Sequence, residues 1–201
     1  MKDYSLHNIS ANIVEKINRY TQKEGVELQK MIFGMEILLH NIPKLVLMFA
    51  VAILLGILPQ TFVTWLSFAL VRRYASGLHA SNSITCTITT ILMFVLVPYM
   101  VQNIYINILH FSIIFGIIIL VLHLYAPADT QANPIIGESK RKRLRKSALI
   151  SSISIFLITS ILIEETYRIY IAFGAIYAGI LILPITYKLL KRRMKNYEQY
   201  E

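Results

Sequence analysis

The chain has one cysteine, Cys86, and a histidine, His79, stands seven residues before it. A thiol becomes a nucleophile when a neighbouring base takes its proton, so this pair could do covalent acyl chemistry. In one straight helix seven residues span about 10.5 Å, too far for a hydrogen bond. The intervening residues argue against a straight helix. Gly77 interrupts it, and Ser81-Asn82-Ser83 supplies capping residues. With Ser83 as N-cap, Cys86 falls at the third helical position, near unpaired N–H groups and the positive end of the helix. The same N–H groups are candidates for stabilising an oxyanion. The plainer role for a lone cysteine in an apolar helix is packing, and the spacing alone does not choose between the two. Arg72 and Arg73 stand just upstream. Either could hold a carboxylate or a lipid phosphate, or simply anchor the chain at the membrane surface. Glu36, His40 and Lys44 follow one another at intervals of four and form one helical stripe. The stripe is either an interfacial ion pair or a polar path for a transporter, the rival function. Glu36 is also a candidate third group, to orient His79. His110 and His123 lie about 19.5 Å apart along a helix, which excludes a shared metal.

The elements that carry these residues belong in a bilayer. Of 201 residues, 56% are hydrophobic and 15% charged, and the mean hydropathy is +0.58. Soluble chains run near a quarter charged. No Asp, Glu, Lys or Arg occurs from residue 74 to residue 128, a length that suits two membrane spans. Apolar runs come in three pairs: residues 38–58 and 61–71, 84–101 and 104–125, 147–163 and 169–187. The reading is an all-α, polytopic membrane protein with about six transmembrane helices in three hairpins. The second run is brief, so the first hairpin is either short or re-entrant. Residues 1–201 form a single membrane-embedded domain. Residues 1–32 are an amphipathic arm on the membrane surface, 33–187 the transmembrane helices and 188–201 a basic tail. The polar, mixed-charge first 30 residues do not read as a cleavable signal peptide.

The net charge is +9. In a soluble chain that would suggest nucleic acid, but here the basic residues flank apolar runs. Eighteen of the 20 Lys and Arg fall in the N-terminal arm, at Arg72 and Arg73, in residues 140–146 and in the tail. Six crossings with both ends inside place all of these on the cytoplasmic side. Anionic lipid is thus an expected partner and nucleic acid is not. Residues 140–146 read as a loop that meets lipid or docks an acidic peptide. A single cysteine excludes an intrachain disulfide and a multi-cysteine metal site.

Arg72-Arg73-Tyr74-Ala75-Ser76-Gly77-Leu78-His79-Ala80, followed by Cys86, resembles the core motif of the accessory gene regulator B family. Ala126-Pro127-Ala128-Asp129-Thr130 with Asn133-Pro134-Ile135, and Phe33-Gly34-Met35-Glu36-Ile37, are further matches in the same order. Ser76 departs from the family pattern, which has glycine there. The resemblance implies a bacterial cell-membrane cysteine endopeptidase that processes quorum-sensing propeptides. It implies His79 and Cys86 as the catalytic pair, with Arg72 or Arg73 and Gly77 in support. It implies no cofactor, and a precursor peptide with an acidic C-terminal part as substrate. It also implies closure of that peptide to a thiolactone or lactone, an active site on the cytoplasmic side and, by analogy alone, a homodimer.

Overall fold

The computed structural model describes residues 4–78, 83–131, 133–199 and 201. The chain is an all-α membrane protein, and no strand is present among the described residues. It divides into two compact units, Met1–Ala50 and Val51–Glu201.

In the first unit, helix α1 spans Tyr4–Thr21. Asn18 ends it: its Oδ1 accepts from the Lys23 N–H at 2.7 Å and from the Thr21 hydroxyl at 3.0 Å. Gln22 and Gly25 take positive φ in the turn. Helix α2 then runs over Gly25–Leu54 without a break. The last residues of the expected surface arm therefore begin the first apolar helix. The cause is the Asn18 cap, which stops α1 well before residue 32.

The second unit begins at the end of α2. The first inter-helix turn is Leu55-Gly56-Ile57, not Pro59-Gln60 as expected. Gly56 has φ +70° and stops α2, and Pro59 sits in the first turn of α3, Leu58–Ala75, where its missing N–H costs nothing. Helix α3 has 18 residues, about 27 Å, so the short second run is lengthened at both ends. Helix α4 covers Ser83–Ile91, a π-helical turn Leu92–Leu96, and α5 Val97–Met100. The π turn precedes Pro98, whose ring would meet the carbonyl of residue 94 in a regular helix. Asn107 caps α6, Ile108–Tyr125, by accepting from the His110 N–H at 3.0 Å, so α6 starts four residues later than the apolar run. Its Oδ1 also meets His110 Nδ1 at 2.6 Å, a structural use of that histidine. Helix α7 spans Glu138–Leu162, α8 Glu165–Ile180 and α9 Pro184–Leu189. Residues 140–146 are thus the opening turns of α7 rather than a loop.

Four stretches, Gly25–Leu54, Ser83–Met100, Ile108–Tyr125 and Glu138–Leu162, are long and apolar enough to cross a membrane. Helices α3 and α8 are less apolar because they bury small and polar side chains against each other, and α3 packs more extensively on α8 than on any other helix. Thr61, Thr64 and Ser67 of α3 and Ala172, Ala175 and Ala178 of α8 are buried. Large aliphatic residues instead point outward: Ile113, Ile117 and Leu120 on α6, Ile153, Leu157 and Ile161 on α7. Small inside and large outside is the arrangement for a solvent of lipid chains, where close backbone approach replaces hydrophobic burial between helices. The Ser67 hydroxyl donates to the Ile171 carbonyl at 2.8 Å, and the Ser151 hydroxyl to the Leu70 carbonyl at 3.1 Å. Further along, the Leu78 N–H donates to the Leu181 carbonyl at 3.1 Å. Contact thus advances in the same sense on both chains, so α3 and α8 run parallel.

Gly174 is where α3 and α8 come closest. A Cβ there would lie 2.8 Å from Ser67 Cβ and 2.9 Å from the Phe68 backbone nitrogen, and closer still to the Thr64 carbonyl. Gly174→Ala is expected to cost about 1–3 kcal/mol by overpacking, read as a lower midpoint of thermal unfolding in detergent. Gly116→Ala, where nothing lies within 4 Å, is the control and is expected to leave the midpoint unchanged or raised.

Candidate functional site

Helices α3, α6 and α8 end together. Their last residues lead into three segments that touch: Ala75-Ser76-Gly77, Ala126-Pro127-Ala128 and Leu181-Ile182. The Ala128 N–H donates to the Ala75 carbonyl at 3.0 Å. Helix C-termini carry unsatisfied carbonyls and a partial negative charge, so three of them at one place call for a cation and donors. Arg72, in the last turn of α3, supplies both. Its guanidinium donates to the Ser76 carbonyl at 2.9 Å, to the Gly77 carbonyl at 3.2 Å and to the Leu78 carbonyl. Arg145 does the same for α6, donating from Nε to the Ala126 carbonyl at 2.7 Å.

The two arginines are placed differently. Arg72 is turned inward, and its fork is spent on the backbone that leads to His79 rather than left open for a substrate carboxylate. Arg73 is exposed, with its guanidinium 5.7 Å from the centre of the Tyr74 ring. Gly77 has φ +109°. A Cβ there would meet the Leu181 carbonyl oxygen at 2.7 Å and Ile182 Cγ2 at 3.0 Å. Both the conformation and the lack of space require glycine. Ser76 has φ 56° and ψ −140°, a region that side chains with a Cβ seldom enter.

His79 lies outside the described residues. Cys86 is half-buried in the first turns of α4. Because that helix already begins at Ser83, the cysteine is its fourth residue rather than its third, still close to the helix start. The Thr90 hydroxyl donates to the Cys86 carbonyl at 2.8 Å. Glu36, offered by the sequence as a group to orient His79, has its carboxylate 2.5 Å from His7 Nδ1, within the first unit. His40 is exposed.

A cavity of about 150 Å³ opens beside the clamp, lined by Arg72, Ser76, Gly77, Ala128, Thr130 and Asn133. Thr130 and Asn133 form a tight turn, with the Asn133 N–H on the Thr130 carbonyl at 3.0 Å. They are wall residues that spacing to Cys86 could not reveal. The polar, proline-containing segment after the long apolar run was the available signal.

Asp129 is buried, but its carboxylate is structural. It accepts from the backbone N–H groups of Asn196 at 3.0 Å and Tyr197 at 2.8 Å. The Tyr187 hydroxyl donates to its carbonyl at 2.8 Å. The tail after α9 is thereby folded back onto the segment that walls the cavity. Farther along, the Arg141 bonds and then the Gly137 N–H hold the Glu201 carboxyl below the usual carboxylate range.

Arg72→Lys loses the fork that spans three carbonyls and is expected to destabilise the protein by about 2 kcal/mol, whereas Arg73→Lys should stay within about 0.5 kcal/mol of the parent. Ser76→Gly relieves the strained φ and is expected to stabilise by about 1 kcal/mol. Gly77→Ala should cost about 1–3 kcal/mol. Thermal unfolding of the four variants in one detergent checks all of these.

A family model for Accessory gene regulator B matches residues 10–187. A putative AgrB-like protein of Clostridium acetobutylicum is 39% identical over 186 residues, 92% of this chain and 89% of that protein. One from Listeria monocytogenes is 42% identical over 172 residues, 86% and 84% of the two chains. The accessory gene regulator protein B of Staphylococcus aureus is 36% identical over 183 residues, 89% and 95% of the two chains. No solved structure matches. With the family model covering most of the sequence, and relatives this similar across nearly their whole length, the chain belongs to the accessory gene regulator B family.

Proposed function

We propose that the chain is a membrane cysteine endopeptidase that cleaves a short precursor peptide and helps close it to a ring. The observation that carries this reading is the position of Cys86 in the opening turns of α4, downstream of an arginine that clamps the backbone leading to His79.

The steps balance without a cofactor. His79 takes the proton of the Cys86 thiol. The thiolate attacks a backbone carbonyl carbon of the precursor, and N–H groups at the start of α4 receive the developing oxyanion. The C–N bond breaks, the imidazolium gives its proton to the leaving amine, and the C-terminal fragment departs. The N-terminal fragment remains as a thioester on Cys86. A thiol or hydroxyl of that fragment attacks the thioester, forms the ring and releases the enzyme sulfur. One thioester is exchanged for another in the thiolactone case, so the closure is close to balanced in energy and needs no ATP. A site at the membrane edge that limits water favours ring closure over hydrolysis.

The orientation follows from charge. Both chain ends, the start of α7 and the site are cytoplasmic, since 18 of 20 Lys and Arg lie on that side in a six-crossing path. The shared direction of α3 and α8 supports that path. Exposed Lys140, Lys142, Arg143 and Lys146 meet anionic lipid. The transporter reading would need a continuous Glu36, His40 and Lys44 path, and Glu36 is paired with His7.

Cys86→Ala is expected to abolish precursor cleavage in reconstituted vesicles while the precursor still binds. His79→Ala should fall at least a hundredfold near pH 7 and recover part of its rate as pH rises, because a thiol near its ordinary pKa of about 8.5 ionises without help there. The mass shift of the precursor reads both. Cleavage by Cys86→Ala at a tenth of the parent rate would overturn the mechanism. For the orientation, accessible tags at Gln199 and Thr166 should label from opposite sides of the membrane. Labelling of both from the outside would refute the six-crossing path.

A further inference from the structure

The tail that folds back after α9 ends in a carboxylate cradle. Glu201 accepts from Arg141 Nη1 at 2.6 Å and Nη2 at 3.0 Å, and from the Gly137 N–H at 2.7 Å. The arrangement is a bidentate arginine–carboxylate fork with a third donor from the start of α7. The Arg141 guanidinium also sits 3.8 Å from the centre of the Tyr197 ring, within cation–π range. An aromatic contact and a carboxylate contact on the same arginine thus come from tail residues four positions apart. Residues 197–201, Tyr-Glu-Gln-Tyr-Glu, carry two acids and no base. Of the neighbouring charges on α7, Lys140 is exposed one residue before Arg141, and Glu138, three residues before it on the same side of the helix, is paired with Lys142. At its other end the docked segment is held by Asp129, whose neighbours Ala128 and Thr130 line the cavity next to the clamp.

We propose that the Gly137 N–H and the Arg141 guanidinium form a docking cradle for an acidic peptide segment, and that Tyr197 and Glu201 of the tail occupy it at rest as a built-in competing ligand. The identification of that segment with part of the precursor rests on the endopeptidase reading above. An incoming acidic peptide takes the place of Glu201 on Arg141 and of the Tyr197 ring beneath it. Release of the tail frees the Asp129 carboxylate, and with it the turn of Thr130 and Asn133 that walls the cavity. The occupant in the structure defines what the cradle takes: a side-chain carboxylate with an aromatic residue four positions before it.

The probe is a fluorescein-labelled peptide with the sequence of residues 195–201, and the readout is its anisotropy with the full chain in detergent at low salt. Glu201→Gln weakens the internal ligand and is expected to tighten binding of the peptide at least tenfold over the parent. Adding Arg141→Gln to Glu201→Gln should abolish that gain. A peptide with Gln in place of its last Glu should bind at least tenfold more weakly, and affinity for the unaltered peptide should fall as salt screens the fork. Equal affinity of the parent and the Glu201→Gln chain would overturn the proposal, as would binding indifferent to Arg141→Gln. Unfolding midpoints of the variants within a few degrees of the parent establish that the effect is at the cradle, and Arg141→Lys replaces Arg141→Gln if the latter does not fold. The rate of Cys86 alkylation, with and without His79→Ala, is measured on the same preparations. Peptide binding as expected with a Cys86 that ignores His79 leaves the cradle standing and removes the endopeptidase. A His79-dependent Cys86 with no peptide competition does the reverse.

Discussion

Arg72 is the group on which the rest of the site depends. Three helices that end at one level present their carbonyls to a confined space, and a buried carbonyl without a donor costs free energy comparable to a lost hydrogen bond. A single planar guanidinium reaches the carbonyls of Ser76, Gly77 and Leu78. Lysine has the charge but not the fork. Once Arg72 is set, the backbone of residues 76–78 has one path. It runs between the Ala128 segment and Leu181, and it is narrow enough there to exclude any side chain at Gly77.

That path requires the helices to be in place first, and in lipid they are placed by different forces from those of a water-soluble core. Apolar side chains gain nothing by leaving hydrocarbon for the protein interior. Close contact between Gly174 and the α3 backbone, and hydrogen bonds such as that of Ser67 with Ile171, hold α3 and α8 together instead. Such a bond averages about 0.6 kcal/mol in a membrane protein, so many small contacts are needed, which accounts for the run of threonine, serine, alanine and glycine at that interface. The parallel course of α3 and α8 then brings the ends of both to the same surface as the end of α6.

The tail and the start of α7 extend the same logic into the aqueous side. A row of lysines and arginines in the first turns of a helix works against the helix dipole. Arg141 and Arg145 turn back to Glu201 and to the Ala126 carbonyl, so part of that charge serves as internal glue. Asp129 and Tyr187 tie the tail to the segment that walls the cavity. The site is therefore bordered by two pieces of chain that are far apart in sequence, residues 128–133 and the tail after α9.

From the sequence alone the solvent was decided. A stretch of 55 residues without charge has no place in water, and periodic apolar runs in a bilayer must be helical because every backbone group needs an internal partner. The membrane setting and the all-α class followed from these local facts, whereas the Arg72-to-Cys86 motif was legible through its resemblance to a family. The ends of the elements did not. Gly56, Asn107 and the Asn18 cap moved three boundaries, since a helix stops where a cap or a positive φ is satisfied and not where hydropathy falls. Composition also could not tell Arg72 from Arg73. Adjacent residues on a helix point about 100° apart, and only the position of the neighbouring helix ends decided which of the two faces them. The use of Asp129 as an anchor for the tail, and of Thr130 and Asn133 as cavity wall, was hidden for the same reason. Each depends on a partner from 50 to 70 positions away in the chain, and such pairings exist only once the helices have packed.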